Sequence, residues 1–315
     1  MRPVAIIGAG FVGRGWAICF ARSGRAVRLW DPVPGAADAA RLYLDGMLDD
    51  LAAASLLGGH SIDEIRDLIT VAPTMAEAVN GAGHVQENAP ENLDLKRRLF
   101  SELDARVAED AVIASSTSAL LPSAFTGHLG GRARCIVAHP VNPPYLIPLV
   151  EIIPAPWTDP AVVAQTTALM REIGQSPVLV QREIDGFLLN RLQAAVLDEA
   201  FRLVDGGYAN AEAVDACMRD GLALRWLFMG PFETIDLNAP NGVRDYVARY
   251  QSMFQTMTNT MRHSVDWSGP VLDSIETDRR KQLPQSALPD RQIWRDRKLM
   301  ELATFRQQSL ADRNT

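Results

Sequence analysis

At 315 residues, with 47% hydrophobic and 22% charged positions, the chain has the composition of a globular protein large enough for two domains and a core that needs no disulfide staples. A net charge of −7, with no basic run of five or more residues, argues against a general nucleic-acid binder. The cysteines, Cys19, Cys135 and Cys217, are far apart and form no CxxC, which reads as reduced, mostly buried thiols in a cytoplasm-like compartment.

The opening run PVAIIGAGFVG is too short and too broken by glycine for a membrane span, and lacks the layout of a signal peptide. Val4, Ala5, Ile6 and Ile7 form a continuous apolar run, as in a strand buried on both faces. A helix is predicted over about 12–23, stopped by Gly24, and a second strand over 26–30. The stretch 36–57 is amphipathic, with Leu42, Met47, Leu48 and Leu51 near one stripe. Ser61 and Glu64 have capping-box spacing before a short helix. Further strands are predicted at about 68–72, 84–87, 112–115, 135–139, 149–153 and 178–180. Helices are predicted at 91–107 and at 159–173, the latter with Thr158 as candidate N-cap. This alternation predicts an α/β fold with a Rossmann-type, doubly wound, mainly parallel sheet.

After Arg182 the strand signal ends. Helices are predicted over 187–204, 211–218, 243–261 and 292–308, which makes the second part all-helical. The expected organisation is an NAD-binding domain over 1–183 and a helical substrate and dimerisation domain over 184–315.

Gly8, Gly10 and Gly13 match GxGxxG. The motif follows a strand, opens a helix, and is followed by Asp31 at the end of the next strand. Gly8 serves the tight turn, Gly10 lets the backbone approach a pyrophosphate, and Gly13 lets helix and strand pack closely. The helix start offers free N–H groups to the phosphates. Asp31 suits the ribose hydroxyls and repels a 2′-phosphate, so the expected cofactor is NAD.

His60, His84, His128 and His263 have bland surroundings and read as structural or surface residues. His139 differs: it stands at the C-terminal end of a predicted strand, where open α/β sheets bind ligands. Glu151 lies twelve residues on, in the next strand. Removing a hydride from an alcohol requires a base for the hydroxyl proton and a carboxylate to orient that base, and a His–Glu pair supplies both.

The stretches GAGFVGRGWA, ENAPENLDLKRRLF, SSTSALLPS, HPVNPPYLIPLVEI, GFLLNRL and MGPFETIDLN occur in one order from residue 4 to about 240. Together they resemble the 3-hydroxyacyl-CoA dehydrogenase superfamily, most closely its lambda-crystallin branch of L-gulonate 3-dehydrogenases. L-carnitine dehydrogenases share parts of these motifs less closely. The resemblance implies that His139 is the general base and Glu151 its partner. It implies that Ser118 and Asn190 hold the substrate oxygen and that Asn142 lies near the nicotinamide. It further implies that Glu91 and Lys96 contact the cofactor's ribose and nicotinamide side, and that Phe11 and Val12 bring N–H groups to the pyrophosphate. Plainer readings stand beside these. Ser118 could cap a helix near Leu121, Asn190 could be a buried helix residue, and Glu91 and Lys96 could be a solvated helix start.

The implied reaction is oxidation of a small L-3-hydroxy acid at C3, with L-gulonate the leading substrate, in a homodimer. A 3-hydroxyacyl-CoA dehydrogenase is the runner-up, and two departures count against it: Ser116 stands where acyl-CoA members usually carry Asn, and 224–228 replaces their Gly-Tyr-Pro-type stretch. Arg41, the only base within 36–57, also disfavours a CoA site there. Arg225 stands among Leu224, Trp226, Leu227 and Phe228. It reads either as a surface residue laying its stem on apolar neighbours or as a bidentate grip on a substrate carboxylate. A non-catalytic NAD-binding protein is the alternative of another class.

Overall fold

The computed structural model of the chain describes residues 1–312. Its eight strands are β1 (Val4–Ile7), β2 (Val27–Trp30), β3 (Ile69–Val71), β4 (His84–Glu87), β5 (Val112–Ser115), β6 (Cys135–Pro140), β7 (Leu149–Pro154) and β8 (Ser176–Leu179). They form one sheet in the order β3-β2-β1-β4-β5-β6-β7-β8. All neighbours pair in parallel except β6 and β7, which are antiparallel. The strand order reverses between β1 and β4, and a crevice opens there at the carboxyl ends of the strands.

Both faces of the sheet are covered, which is why the strands read as apolar runs. Val4 and Ile6 of β1 pack into one hydrophobic cluster, Ala5 and Ile7 into another. The first cluster takes residues from α1 (Phe11–Ala21), α2 (Ala36–Ala53) and α3 (Ile62–Leu68). The second takes them from α4 (Met75–Val79), α5 (Leu93–Arg106) and α6 (Pro122–Thr126). Met170 of α7 (Pro160–Glu172) returns to the first.

The capping box at α3 is formed, with the Glu64 N–H on Ser61 Oγ at 3.3 Å and the Ser61 N–H on Glu64 Oε2 at 2.7 Å. The stripe of α2 is Ala37, Ala40, Leu44, Leu48 and Leu51, and Leu42 is 73% exposed, off the stripe expected for it. Asp159, not Thr158, caps α7, accepting from the Ala161 N–H at 2.7 Å. Thr158 instead donates its hydroxyl to the Cys135 carbonyl at 2.8 Å. Cys19 and Cys135 are buried, which pushes their thiols up to about 11 and about 12, whereas Cys217 is exposed.

The remaining elements are helical: α8 (Leu189–Asp205), α9 (Ala211–Ala216), a π-helical turn (Cys217–Leu222), α10 (Ala223–Trp226), α11 (Pro231–Leu237), α12 (Gly242–Thr260), α13 (Pro270–Gln282) and α14 (Leu288–Asp312). Neither α11 nor α13 is among the helices expected from the sequence, and each begins at a Gly-Pro pair. Here proline occupies the first helical turn, where its missing N–H costs nothing. No helix among the described residues is long and apolar enough to cross a membrane.

The chain divides into two compact units, Met1–Leu189 with the segment from Ile293 onward, and Asn190–Gln292. The first unit thus starts at Met1 as expected, but runs past 183 to Leu189 and takes in the segment from Ile293 onward. Phe187 is fully buried in the second cluster, which keeps 184–189 with the sheet. Met300 of α14 is 3% exposed in the first cluster, and the Thr304 hydroxyl donates to the Ala54 carbonyl at 2.8 Å. Periodicity announces an amphipathic helix but not the surface that its apolar stripe covers. Within the other unit, Phe201 and Trp267 stack at 4.6 Å, and Arg202 bonds Glu199 at 2.7 Å and the His263 carbonyl at 3.0 Å.

Because Met300 fills core space of the sheet-bearing unit, Met300→Ala is expected to destabilise that unit by about 2–5 kcal/mol in urea unfolding. A loss under about 0.5 kcal/mol, the range of surface substitutions, would show that α14 does not contribute to its core.

Candidate active site

The turn after β1 is built from three glycines with different physical reasons. Gly8 has φ +95°, and a Cβ there would lie 2.9 Å from the Asn88 carbonyl oxygen. At Gly13 a Cβ would lie 1.9 Å from the Gly8 carbonyl oxygen, so only glycine lets α1 sit this close to β1. Gly10 has nothing within 4 Å of the Cβ position, so no protein atom demands glycine there. The space it leaves fits a ligand approaching the backbone. Gly10 caps α1 without a side-chain bond, and the first turn carries no acidic residue. The N–H groups at Phe11 and Val12 therefore belong to an uncapped, positive helix end.

Asp31 bonds through both oxygens, accepting from the Ala9 N–H at 2.8 Å and the Val33 N–H at 2.9 Å. It stands on the wall of a cleft of about 590 Å³ that also includes Trp30, Met75, Asn88, Leu95 and Arg98. An apolar slot, a carboxylate and a helix N-terminus fit the adenine, ribose and pyrophosphate of NAD. The sequence reading missed the contributions of α4 and α5 to this cleft. They come from separate elements with no motif of their own.

Lys96, expected to contact the cofactor, is buried and is not part of a solvated helix start. Its side chain is 1% exposed and pairs with Glu87, whose side chain is 0% exposed. The ammonium donates to Glu87 Oε1 and Oε2 at 2.9 and 3.0 Å and to the Ala89 carbonyl at 3.2 Å. All three N–H groups are thereby used inside the protein. Ser115 Oγ also donates to Glu87, at 2.6 Å. Glu91 accepts from the Thr117 hydroxyl and from the N–H groups of Ala119 and Leu120 at 3.2 Å each. Burial alone would raise its pKa, but the Thr117 bond, the Lys96 charge and these N–H groups outweigh it and hold the carboxyl below its usual range. Glu91 thus shapes the loop that carries Ser118. Ser118 is exposed and does not cap α6, whose cap position is Leu121.

Ser116 beside it is buried in a network that sequence reasoning did not find. Its hydroxyl accepts from Trp16 Nε1 at 2.9 Å and Gln86 Nε2 at 2.8 Å, and donates to Asn88 Oδ1 at 2.7 Å. His84 lies 3.0 Å from Gln86 Oε1, and burial pushes its imidazole down to about 4. It is neutral near pH 7, in keeping with a structural role.

His139 and Glu151 are direct partners across the antiparallel β6–β7 ladder, so both side chains stand on one face of the sheet. His139 Nδ1 is 2.8 Å from Glu151 Oε2, with side chains 7% and 2% exposed. Glu151 Oε1 accepts from the N–H groups of Leu188 and Leu189 at 2.7 and 3.0 Å. Burial works to raise the Glu151 pKa, but the bonds from His139, Leu189 and Leu188 prevail and hold it below the usual range. An ionised Glu151 assigns the imidazole proton to Nδ1, leaving Nε2 as an acceptor. The Phe187 ring packs 5.5 Å from the His139 ring. Phe187 was also missed, since nothing in its local sequence points to His139.

Asn142 is exposed in the loop after β6, ahead of a cis bond to Pro143. Asn190 stands in the first turn of α8. Arg225 on α10 is exposed, with Leu224 60% and Phe228 46% exposed.

Comparisons with known proteins show the family of the chain. Residues 3–184 match the family model of the 3-hydroxyacyl-CoA dehydrogenase NAD-binding domain, and residues 186–269 match that of the C-terminal domain. Lambda-crystallin of Oryctolagus cuniculus is 44% identical over 311 residues, covering 97% of this chain and 96% of that one. An L-carnitine dehydrogenase of Streptomyces griseus is 39% identical over 274 residues, covering 87% and 76%. Among solved structures, the NAD-dependent 5-formyl-3-hydroxy-2-methylpyridine 4-carboxylic acid 5-dehydrogenase has a TM-score of 0.81 at 27% identity, covering 97% of each chain.

The inward position of Lys96 has a measurable consequence. Lys96→Met leaves Glu87 buried without a counter-charge and is expected to cost about 3–5 kcal/mol of stability in denaturant unfolding. Adding Glu87→Gln to Lys96→Met is expected to recover part of that loss. If the single and double variants are equally unstable, the ion pair is not what holds this edge of the sheet.

Proposed function

The chain belongs to the 3-hydroxyacyl-CoA dehydrogenase family and is an NAD-dependent oxidoreductase acting on a CH–OH group, and on that premise we propose that it oxidises C3 of a small L-3-hydroxy acid, taking L-gulonate to 3-dehydro-L-gulonate. The observation that carries this reading is the His139–Glu151 pair at 2.8 Å, with its carboxylate charged and its Nε2 left to accept. His139 Nε2 takes the substrate hydroxyl proton, and Glu151 stabilises the imidazolium that results. NAD, held by Gly8, Gly10, Gly13 and Asp31, supplies the hydride acceptor. Ser118 and Asn190 hydrogen-bond the reacting oxygen, and Asn142 orients the reacting carbon. Arg225 is the arginine that the sequence offers for the substrate carboxylate.

Two observations favour a free acid over a thioester. Arg41, the only base within 36–57, donates to the Ile69 carbonyl and lies 3.7 Å from Asp45, so it is engaged within the protein. One relative is named for L-carnitine and one structure for a pyridine carboxylic acid, both carboxylate-bearing compounds. Val243, Val247, Tyr250, Phe254 and Met257 of α12 are 38–45% exposed at helical spacing. A second copy of the chain would cover that face, giving a homodimer.

Turnover of L-gulonate, L-carnitine, L-3-hydroxybutyrate and 3-hydroxybutyryl-CoA with NAD tests the reading. The highest kcat/KM is expected for a free L-3-hydroxy acid, with L-gulonate leading. His139→Ala is expected to lower kcat by about 10²–10⁴ with NADH binding nearly unchanged. Preference for the CoA ester would replace the substrate assignment, and NADH binding without turnover of any compound would replace the catalytic one. Light scattering is expected to return the mass of two chains; the mass of one removes the dimer.

A further inference from the structure

Arg14 lies on α1, one position past Gly13. Its guanidinium carbon is 3.7 Å from the centre of the Tyr43 ring and 4.5 Å from that of the Phe11 ring. Its Nε is buried without a hydrogen-bond partner. Among the described residues no carboxylate pairs with it. Its terminal nitrogens are not among the buried unpartnered atoms, which leaves the outer edge of the fork open. Other arginines of this unit are engaged: Arg2 on Asp110 at 2.7 Å, Arg22 on the Tyr145 carbonyl at 2.8 Å, and Arg134 on Asp104 at 2.8 Å. A half-buried cation without a counter-charge is costly. Two aromatic faces offset part of that cost, and they also fix the plane of the guanidinium.

Its position is set by the loop that leaves β6. At Gly15, the next residue, a Cβ would lie 2.5 Å from Pro144 Cδ, so α1 touches this loop five residues past His139. Tyr145 of the same loop is buried, and Tyr43 and Arg14 lie close enough to its hydroxyl to act on its pKa, which burial foremost raises. Arg14, Tyr43 and Tyr145 are therefore one cluster, attached to the segment that follows the proposed base. A planar fork held from both sides, with its edge free, is the geometry that takes an oxyanion in a bidentate pair.

We propose that Arg14, braced by Phe11 and Tyr43, binds the carboxylate of the substrate and thereby selects free hydroxy acids over neutral esters. The assignment rests on the reading that the substrate is a small hydroxy acid. Helical side chains lean toward the helix N-terminus, so the cofactor pyrophosphate is the other anion within the same chemistry. The carboxylate is favoured because the cluster is tied to the His139 loop.

The test uses the full chain with NAD, L-3-hydroxybutyrate and its methyl ester. Arg14→Met is expected to raise KM for the acid at least about tenfold, with kcat nearly unchanged. KM for the ester and the Kd for NADH, read by fluorescence, are expected to stay within about twofold, and the latter also shows that the variant is folded. Arg14→Lys is expected to recover only part of the loss, since an ammonium keeps the charge without the fork. Weakened NADH binding with an unchanged KM for the acid assigns Arg14 to the pyrophosphate and overturns the proposal. An acid-specific loss in Arg225→Met but not in Arg14→Met overturns it in favour of Arg225. Equal effects on acid and ester also overturn it. A wild-type enzyme that oxidises only the CoA ester fails the functional reading itself. Wild-type turnover of the acid with no change in Arg14→Met fails the Arg14 assignment alone.

Discussion

Glu151 is a carboxylate 1% exposed to water, and a charge so buried persists only if the protein replaces its hydration. Three groups do so: His139 from the neighbouring strand, and the N–H groups of Leu188 and Leu189 from the chain entering α8. Meeting this one requirement fixes several others. It fixes the antiparallel register of β6 and β7, since a slip of one residue would turn one of the pair to the opposite face. It fixes the path of the backbone through Gly186 and Phe187, both at positive φ, where Phe187 adopts 51° despite its side chain. That unusual backbone brings the Phe187 ring against His139 while the next two N–H groups reach the carboxylate.

The carboxyl ends of β4 and β5 follow the same rule with different partners. Glu87 is neutralised by Lys96 and bonded by Ser115, and Glu91 gathers the loop from Thr117 to Leu120. Ser116 uses one hydroxyl to accept from Trp16 and Gln86 and to donate to Asn88. An amide at 116 would bring two donors and a larger head to partners arranged around one hydroxyl, which accounts for serine here in physical terms. Buried polar networks satisfied in this way are rigid. Rigidity at these strand ends holds a ligand-binding edge in place before any ligand arrives.

A similar contrast separates the arginines. Those whose forks are filled by carbonyls and carboxylates act as braces, as Arg134 does with Asp104 and the Val107 carbonyl. Arg14 is held by ring faces instead, which engage the plane of the cation and leave its edge unused. How a cation is held, rather than its presence, distinguishes the two kinds of site.

Much of this was legible in the chain itself. Strand–helix alternation, the three glycines with Asp31, and the His139–Glu151 spacing each depend on local geometry or on a short ladder, so residue order carries them. The GxGxxG turn is legible because the positive φ of Gly8 and the contact of Gly13 with the Gly8 carbonyl arise within the turn itself, whereas the close approach of Asn88 to Gly8 comes from the end of β4. The burial of Lys96 was not legible because an exposed helix start and a buried ion pair look alike until Glu87, nine residues earlier, is seen to face it. The return of α14 to the first unit, the contributions of α4 and α5 to the cofactor cleft, and the stacking of Arg14 on Tyr43 were invisible for a related reason. The sequence by itself determined which elements form and where backbone geometry allows only glycine, because those are decided by neighbours along the chain. Only the tertiary structure decided which buried charges are paired and which cation stays open, because burial and pairing are settled by residues brought together from distant positions.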